Sequence, residues 1–403
     1  MRRYRYFCFL AAMLALTAAR GEDARVRVRK SGSAKSVLNV AGFAVRGGTM
    51  ARGFQQTLER DLERSGWFQL VRGGNAEYNL SGACSQEGGQ LQVEGMVYRI
   101  ADQTRAFGKS YRQPASDARA LAHRVADDIV EALTGRKGMA SGRLAMVGTK
   151  SGKKEVYLCD ADGAGLIQLT RDGSVSVAPT WGPDGRRLLY TAYLKRFPDV
   201  YMIDITSGSR RRIANYPGLN TGAALAPNGR DVAIILSKDG NPELYIMNLG
   251  GGGLTRLTRT AQAAEASPCW SPDGERIVFV SDRSGHPQLY VVSRAGGRPQ
   301  RLTVRGVENV APDWGPNGLI AYSSRMGGRY GISVIDPATK QAKQLPLDGA
   351  DYEDPSWAPD GRHIACTRTE RYRPKVYLLD TMGDPPVALT SYEGDWFTPA
   401  WSP

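Results

Sequence analysis

Side chains able to do acid-base, metal or nucleophilic chemistry are few in this chain, and they do not converge. His123, His286 and His363 are its only histidines, and they lie in three different structural contexts. A metal centre needs several donors brought together, so no histidine metal cluster is expected. Asp160-Ala161-Asp162-Gly163 has the first part of a calcium-binding loop but lacks the remaining ligands, and a turn is expected there instead. No Gly-x-Ser-x-Gly stretch marks a nucleophile. No catalytic, cofactor-binding or metal-binding residue is therefore assigned, and the chain is expected not to be an enzyme. Of the five cysteines, Cys8 sits in an N-terminal apolar run without a lipobox. Cys84, Cys159, Cys269 and Cys366 fall in different domains or repeats, so buried free thiols are expected rather than bridges.

What does recur is an aromatic phrase. Trp181-Gly182-Pro183-Asp184-Gly185 returns as Leu225-Ala226-Pro227-Asn228-Gly229, Trp270-Ser271-Pro272-Asp273-Gly274, Trp314-Gly315-Pro316-Asn317-Gly318 and Trp357-Ala358-Pro359-Asp360-Gly361, then ends the chain as Trp401-Ser402-Pro403. The anchors are 44, 45, 44, 43 and 44 residues apart, the spacing of a four-stranded propeller blade. Each phrase is a tight turn: proline presets φ, Asp or Asn tolerates the next position, and glycine accepts positive φ. An apolar strand follows, then a strand usually opened by tyrosine, then an outer strand closing on Leu-Thr. Trp181, Leu225, Trp270, Trp314, Trp357 and Trp401 are expected to be structural anchors packed between blades.

The first unit starts at residue 143, already in a second strand, whereas the chain stops just after the sixth Trp-containing strand. The C-terminal strand must then pair with residues 143–147 and close a six-bladed ring, which removes the open sheet edge. Before the ring, residues 1–19 combine a basic head, an apolar run and Thr17-Ala18-Ala19, the pattern of a signal peptide. Their loss removes three arginines and no acid, so the formal charge falls from +13 to +10. The remaining cations are scattered rather than interleaved with aromatics, so a nucleic-acid partner is not expected. No later run approaches the length of a transmembrane helix. Residues 20–36 form a basic tail, 37–137 a small α/β domain, 138–142 a connector and 143–403 the propeller. Within the α/β domain, Thr49 is expected to cap a helix presenting Phe54, Leu58 and Leu62 and ended by Gly66. Ser116 is expected to cap one presenting Leu121, Val125, Ile129 and Leu133 and ended by Gly135. The fold class is mainly β: a six-bladed β-propeller preceded by a small α/β domain.

The exported α/β domain, the junction Leu133-Thr134-Gly135-Arg136-Lys137-Gly138, six units carrying the Trp-Ser-Pro-Asp-Gly phrase and the ending Pro399-Ala400-Trp401-Ser402-Pro403 together resemble the TolB family, the periplasmic propellers of the Tol-Pal system. The resemblance implies a non-enzymatic adaptor of the cell envelope. It would bind the peptidoglycan-associated lipoprotein Pal on one face of the propeller and present its tail, here 20–36, to the inner-membrane protein TolA.

The loops that lead into the six Trp-containing strands, at residues 176–178, 219–221, 265–267, 308–310, 352–354 and 395–397, open on one end of the ring and vary while the turns repeat. Partner contacts are expected from Val177, Asn220, Glu265, Ala266, Ser267, Glu308, Asn309, Glu353, Asp354, Asp395 and Trp396. Asn220 and Glu353 fit the family pattern best, whereas Ala266 and Ser267 are smaller and less polar than it. Two other classes stay open. A carbohydrate- or peptidoglycan-binding propeller would use exposed Trp396, Tyr352 and Tyr216 to stack on sugars. A propeller lyase or peptidase would need His, Arg and carboxylates to converge at the channel.

Overall fold

The computed structural model describes residues 34–403 apart from 252, 346 and 347. The expected leader, 1–19, and nearly all of the expected tail, 20–36, lie outside the described residues. The N-terminal unit runs β1 (Ser36–Arg46), α1 (Thr49–Arg64), β2 (Phe68–Val71), β3 (Tyr78–Glu87), β4 (Gln90–Arg99), β5 (Arg105–Pro114) and α2 (Ala118–Thr134). Its sheet order is β2-β1-β3-β4-β5, with β1 parallel to both neighbours and the other pairs antiparallel. The four-residue spacing of Phe54, Leu58 and Leu62 and the face Leu121, Val125, Ile129 and Leu133 bring all seven into the buried core under the sheet. Each such burial is worth about 1.5–3 kcal/mol.

The helix stops fall where glycine marks them: Gly66 has φ +69° and Gly135 caps α2 at φ +71°. The starts differ from expectation. Gly48, not Thr49, precedes α1 and makes no side-chain cap, while Ser116 lies in one turn of 3-10 helix (Ala115–Asp117) and Asp117 precedes α2. Strand β5 was not anticipated, because its exposed face and the small residues Gly108 and Ser110 leave almost no apolar alternation to read.

Six four-stranded sheets follow. Taken from the innermost strand outwards, the first blade is Trp396–Trp401, Arg143–Gly148, Glu155–Asp160 and Ile167–Gln168. The innermost strands of blades two to six are Ser176–Trp181, Asn220–Leu225, Glu265–Trp270, Glu308–Trp314 and Asp351–Trp357. Closure is as the repeat phase requires: Trp396 pairs with Gly148, Phe397 with Val147, Ala400 with Ala145 and Trp401 with Leu144. The Ser402 N–H also donates to Arg143 O at 2.9 Å.

The repeated turn holds itself. In the second blade the Gly185 N–H donates to Gly182 O at 3.0 Å, and Asp184 Oδ1 accepts the N–H groups of Arg186 and Arg187 at 3.0 Å each. Asn228, Asn317 and Asp360 do the same work in their own turns. Five of the six anchors are buried, and Trp181 is partly so. Two of them also bond across blade boundaries, Trp181 Nε1 to Ala400 O at 2.9 Å and Trp270 Nε1 to Ala224 O at 3.0 Å. Cys84, Cys159, Cys269 and Cys366 are free thiols.

Candidate docking face

Antiparallel blades put two sets of loops at each end of the ring. The loops entering the innermost strands share an end with the hairpins joining the second and third strands, and they bond to them. Thr149 donates to Asp395 O at 3.1 Å, Tyr193 to Val175 O at 2.9 Å, and Ser237 to Leu219 O at 3.0 Å. The N-terminal domain sits against the opposite end. There Arg60 Nη2 lies 2.8 Å from Asp162 Oδ2, and Arg119 holds both Asp160 (3.1 Å) and Asp162. Arg362, fixed on Asp380 at 2.6 and 2.9 Å, lies 4.6 Å from the centre of the Trp67 ring. The loop end is therefore left uncovered by the described residues.

Across the six innermost strands one device repeats. The residue three places before the anchor, at Ala178, Gly222, Ser267, Ala311, Asp354 and Thr398, has φ between +41° and +59°, and the strand register breaks beside it. Such a bulge shifts the alternation of side chains by one place. The residue two places before it consequently turns into the blade: Ser176, Asn220, Glu265, Asn309, Tyr352 and Trp396 are all buried.

That buried residue fastens its own loop. Ser176 Oγ donates to Asp172 Oδ2 at 2.6 Å, Asn220 Nδ2 to Tyr216 O at 2.8 Å, Asn309 Nδ2 to Arg305 O at 2.8 Å and Trp396 Nε1 to Tyr392 O at 3.2 Å. Each bond spans four residues. Glu265 departs from this pattern and pairs with Arg283 at 2.7 Å. Asn220, Asn309 and Trp396, expected as contact residues, are thus buried loop fasteners, and Glu265 is buried against Arg283, because the bulge reverses the side they face. Trp396 and Tyr352 are both 0 % exposed, so neither offers a ring to a sugar, and Tyr216 is only partly exposed.

The other expected positions remain accessible on the channel side. Val177, Glu353 and Asp354 are part-exposed, and Ala266 and Ser267 exposed. Glu308 is held by Arg325 at 3.2 Å and by the Tyr330 hydroxyl, and Asp395 is part-exposed in the loop into the first blade. From the bulges to the turn prolines the channel holds a cavity of about 530 Å³, lined by residues that include Ser267, Asp313, Asp354 and Lys137.

Its acidity is lopsided. Burial, then the neighbouring charges of Asp354 and Asp351, pushes the Glu353 carboxyl up to about 7. Burial pushes Asp354 up to about 6, and Asp313 is also raised by burial. No histidine or arginine joins them among the residues lining the cavity, so the convergence a lyase needs is not formed there. His123 does approach Asp160 and Asp162, with donor atoms within 4.8 Å. However, Arg60 and Arg119 occupy those carboxylates, and His123 Nδ1 lies 2.5 Å from Asp61 Oδ2. This group is an ion-pair network between the domains.

Comparison with known proteins agrees with this architecture. The family described as TolB beta propeller domain matches residues 130–403. The chain belongs to the TolB family. It is similar to the Protein TolB homolog of Chlorobium chlorochromatii, 34% identical over 275 residues that span 61% of each chain. It is likewise similar to the Tol-Pal system protein TolB of Desulfosudis oleivorans, 34% identical over 200 residues, 50% of this chain and 44% of that one. The match thus spans roughly half of the length of these two relatives. Among solved structures, TolB from Acinetobacter baumannii superposes with a TM-score of 0.82 at 26% identity, covering 93% of this chain and 98% of that one. Among the described residues, no helix of this TolB-family chain is long and apolar enough to cross a membrane.

Proposed function

We propose that this chain is a non-enzymatic periplasmic adaptor of the Tol-Pal system. It docks a Pal-type peptidoglycan-associated lipoprotein on the loop end of its propeller and presents its tail, 20–36, to a TolA-type inner-membrane protein, supporting outer-membrane integrity and cell division. One observation carries the reading beyond family membership: apolar exposure is concentrated on the free end. Of twelve exposed large apolar side chains among the described residues, eight lie there, namely Val175, Tyr193, Leu194, Phe197, Val304, Val307, Met326 and Tyr372. Clustered apolar exposure on one face is the mark of a protein-interaction surface.

Titration against purified Pal tests the reading. Glu353→Arg alters a part-exposed side chain at the channel mouth and should weaken binding by about tenfold or more through charge mismatch. A chain without residues 20–36 should bind Pal as the parent does and lose only TolA. Parent-like Pal affinity in the Glu353 variant, with an unchanged circular dichroism spectrum, would move the docking site off this end.

A further inference from the structure

We infer that the rim of this end over the sixth, first and second blades is a membrane-contact edge that takes an anionic phospholipid surface. Three successive hairpins build it. Lys150, Lys153 and Lys154 lie on the first-blade hairpin, Lys195 and Arg196 on the second-blade hairpin, and Arg371 on the sixth, all exposed. None of the six has a carboxylate within ion-pair distance among the described residues. On the other half of the ring three hairpin cations are neutralised: Lys238 by Asp239 at 2.8 Å, Arg283 by Glu265 at 2.7 Å and Arg325 by Glu308 at 3.2 Å. Three exposed cations on the other half, Arg259, Arg305 and Arg329, also lack such a carboxylate among the described residues, so what sets this arc apart is that its unpaired cations on the second and sixth blades share hairpins with exposed aromatic rings. The acids in the neighbouring loops do not cancel its charge: Asp172 is taken by Arg210 and Glu370 by Arg368, which leaves Glu393 and Asp395.

The second- and sixth-blade hairpins also carry the most exposed aromatic side chains among the described residues. Tyr372 is 96% exposed and Phe197 52%, with Tyr193 and Leu194 beside it at 41% and 40%. Arg196 lies 5.5 Å from the Phe197 ring centre and Lys154 4.8 Å from that of Phe397, so cations and rings share one layer. These tips do not line the channel cavity, the cavity beside Trp67 or the one at the fifth-blade hairpin. A row of exposed tips of this kind encloses no ligand. It suits a flat partner that is negative on its surface and apolar just below, which is the chemistry of an anionic lipid leaflet. Tyr193, Leu194, Phe197 and Tyr372 also count among the apolar side chains that support the Pal reading, and a vesicle assay without Pal separates the two.

Vesicle co-sedimentation of the purified protein tests it, with equal parts phosphatidylglycerol and phosphatidylcholine against phosphatidylcholine alone. The protein should sediment with the anionic vesicles at low salt, remain soluble with the neutral ones, and be released by high salt. Each basic side chain at such a surface is worth about fivefold in partitioning, so Lys153→Glu with Lys154→Glu should reduce it by about 25-fold or more. Phe197→Ala with Tyr372→Ala should weaken it without changing its salt dependence. Arg259→Glu, on the fourth-blade loop, should leave it unchanged. Failure of the parent to sediment with anionic vesicles, equal sedimentation with neutral ones, or parent-like binding by the double lysine variant would overturn the proposal. So would retention of the parent on a soluble acidic polypeptide but not on lipid.

Discussion

Asp313 Oδ2 accepts the backbone N–H of Trp357 at 2.6 Å, a bond that crosses from the innermost strand of the fifth blade to that of the sixth. Other seams are joined from the same position. Cys269 Sγ accepts the Trp314 N–H at 3.2 Å, Ser356 Oγ the Trp401 N–H at 2.9 Å, and Thr180 Oγ1 donates to Ala223 O at 2.6 Å. The innermost strand is the edge of its sheet, with no further strand towards the axis, and its unpaired backbone groups need partners. At these four seams the residue just before an anchor supplies one, and at the other two that residue is alanine, whose carbonyl accepts the indole N–H of the next-blade anchor, Trp270 or Trp181.

Asp313→Ala removes the acceptor and leaves the Trp357 N–H without its partner, which is expected to cost about 1–3 kcal/mol. Asp313→Ser, the residue the sixth blade uses at this place, should recover part of that loss. Urea unfolding of the two variants beside the parent reads the difference. An alanine variant with the parent's midpoint would show that the seam bond contributes nothing.

Those seams were hidden in the sequence, whereas the ring was plain in it. The Trp or Leu anchors, the Pro-Asp/Asn-Gly turns and the phase of the two ends are local and periodic, and they specify blade number, turn geometry and closure. Asp313, Cys269, Ser356 and Thr180 share a position but not a chemistry, so no repeated letter marks their common task. The site was misread for a related reason. Trp396 is expected at the surface because it lies in a variable loop, and alternation counted back from Trp401 likewise puts it on the side opposite the anchor. The bulge at Thr398, φ +41°, turns Trp396 inward with it. Positive φ at Ala178, Ser267, Ala311, Asp354 and Thr398, each followed directly by proline, is a conformation that non-glycine residues rarely adopt, so the letters do not announce the bulge.

Ring closure can be tested at a single atom. Gly148 pairs with Trp396, and a Cβ at 148 would stand 2.3 Å from Trp396 Cζ3. Gly148→Val is therefore expected to cost at least about 1–3 kcal/mol through overpacking. Deleting 396–403 should go further by exposing the edge of Arg143–Gly148 and promoting aggregation. Light scattering and thermal melting of both variants give the measure, and a truncated protein that melts like the parent would refute closure by this strand.

The channel carboxyls set a pH dependence whose sign follows from their direction. Glu353 is pushed up to about 7 and Asp354 to about 6, whereas in the unfolded chain both return to the ordinary carboxylate range of about 4. Between those limits the folded protein holds protons that the unfolded chain has already released, so stability falls as pH rises through the window. Below the unfolded values both states are protonated and the penalty is absent. Glu353→Gln with Asp354→Asn keeps the side-chain volumes and removes both titrations. Its melting temperature should accordingly fall less than the parent's between about pH 5 and about pH 8, the interval that brackets the two shifted carboxyls. Because Asp354 also accepts the Thr367 hydroxyl at 3.4 Å, an Asn at 354 retains an oxygen for that bond, and the comparison reads charge rather than a lost contact. Parallel melting profiles for the parent and the double variant across that interval would mean that neither carboxyl carries a proton into the folded channel.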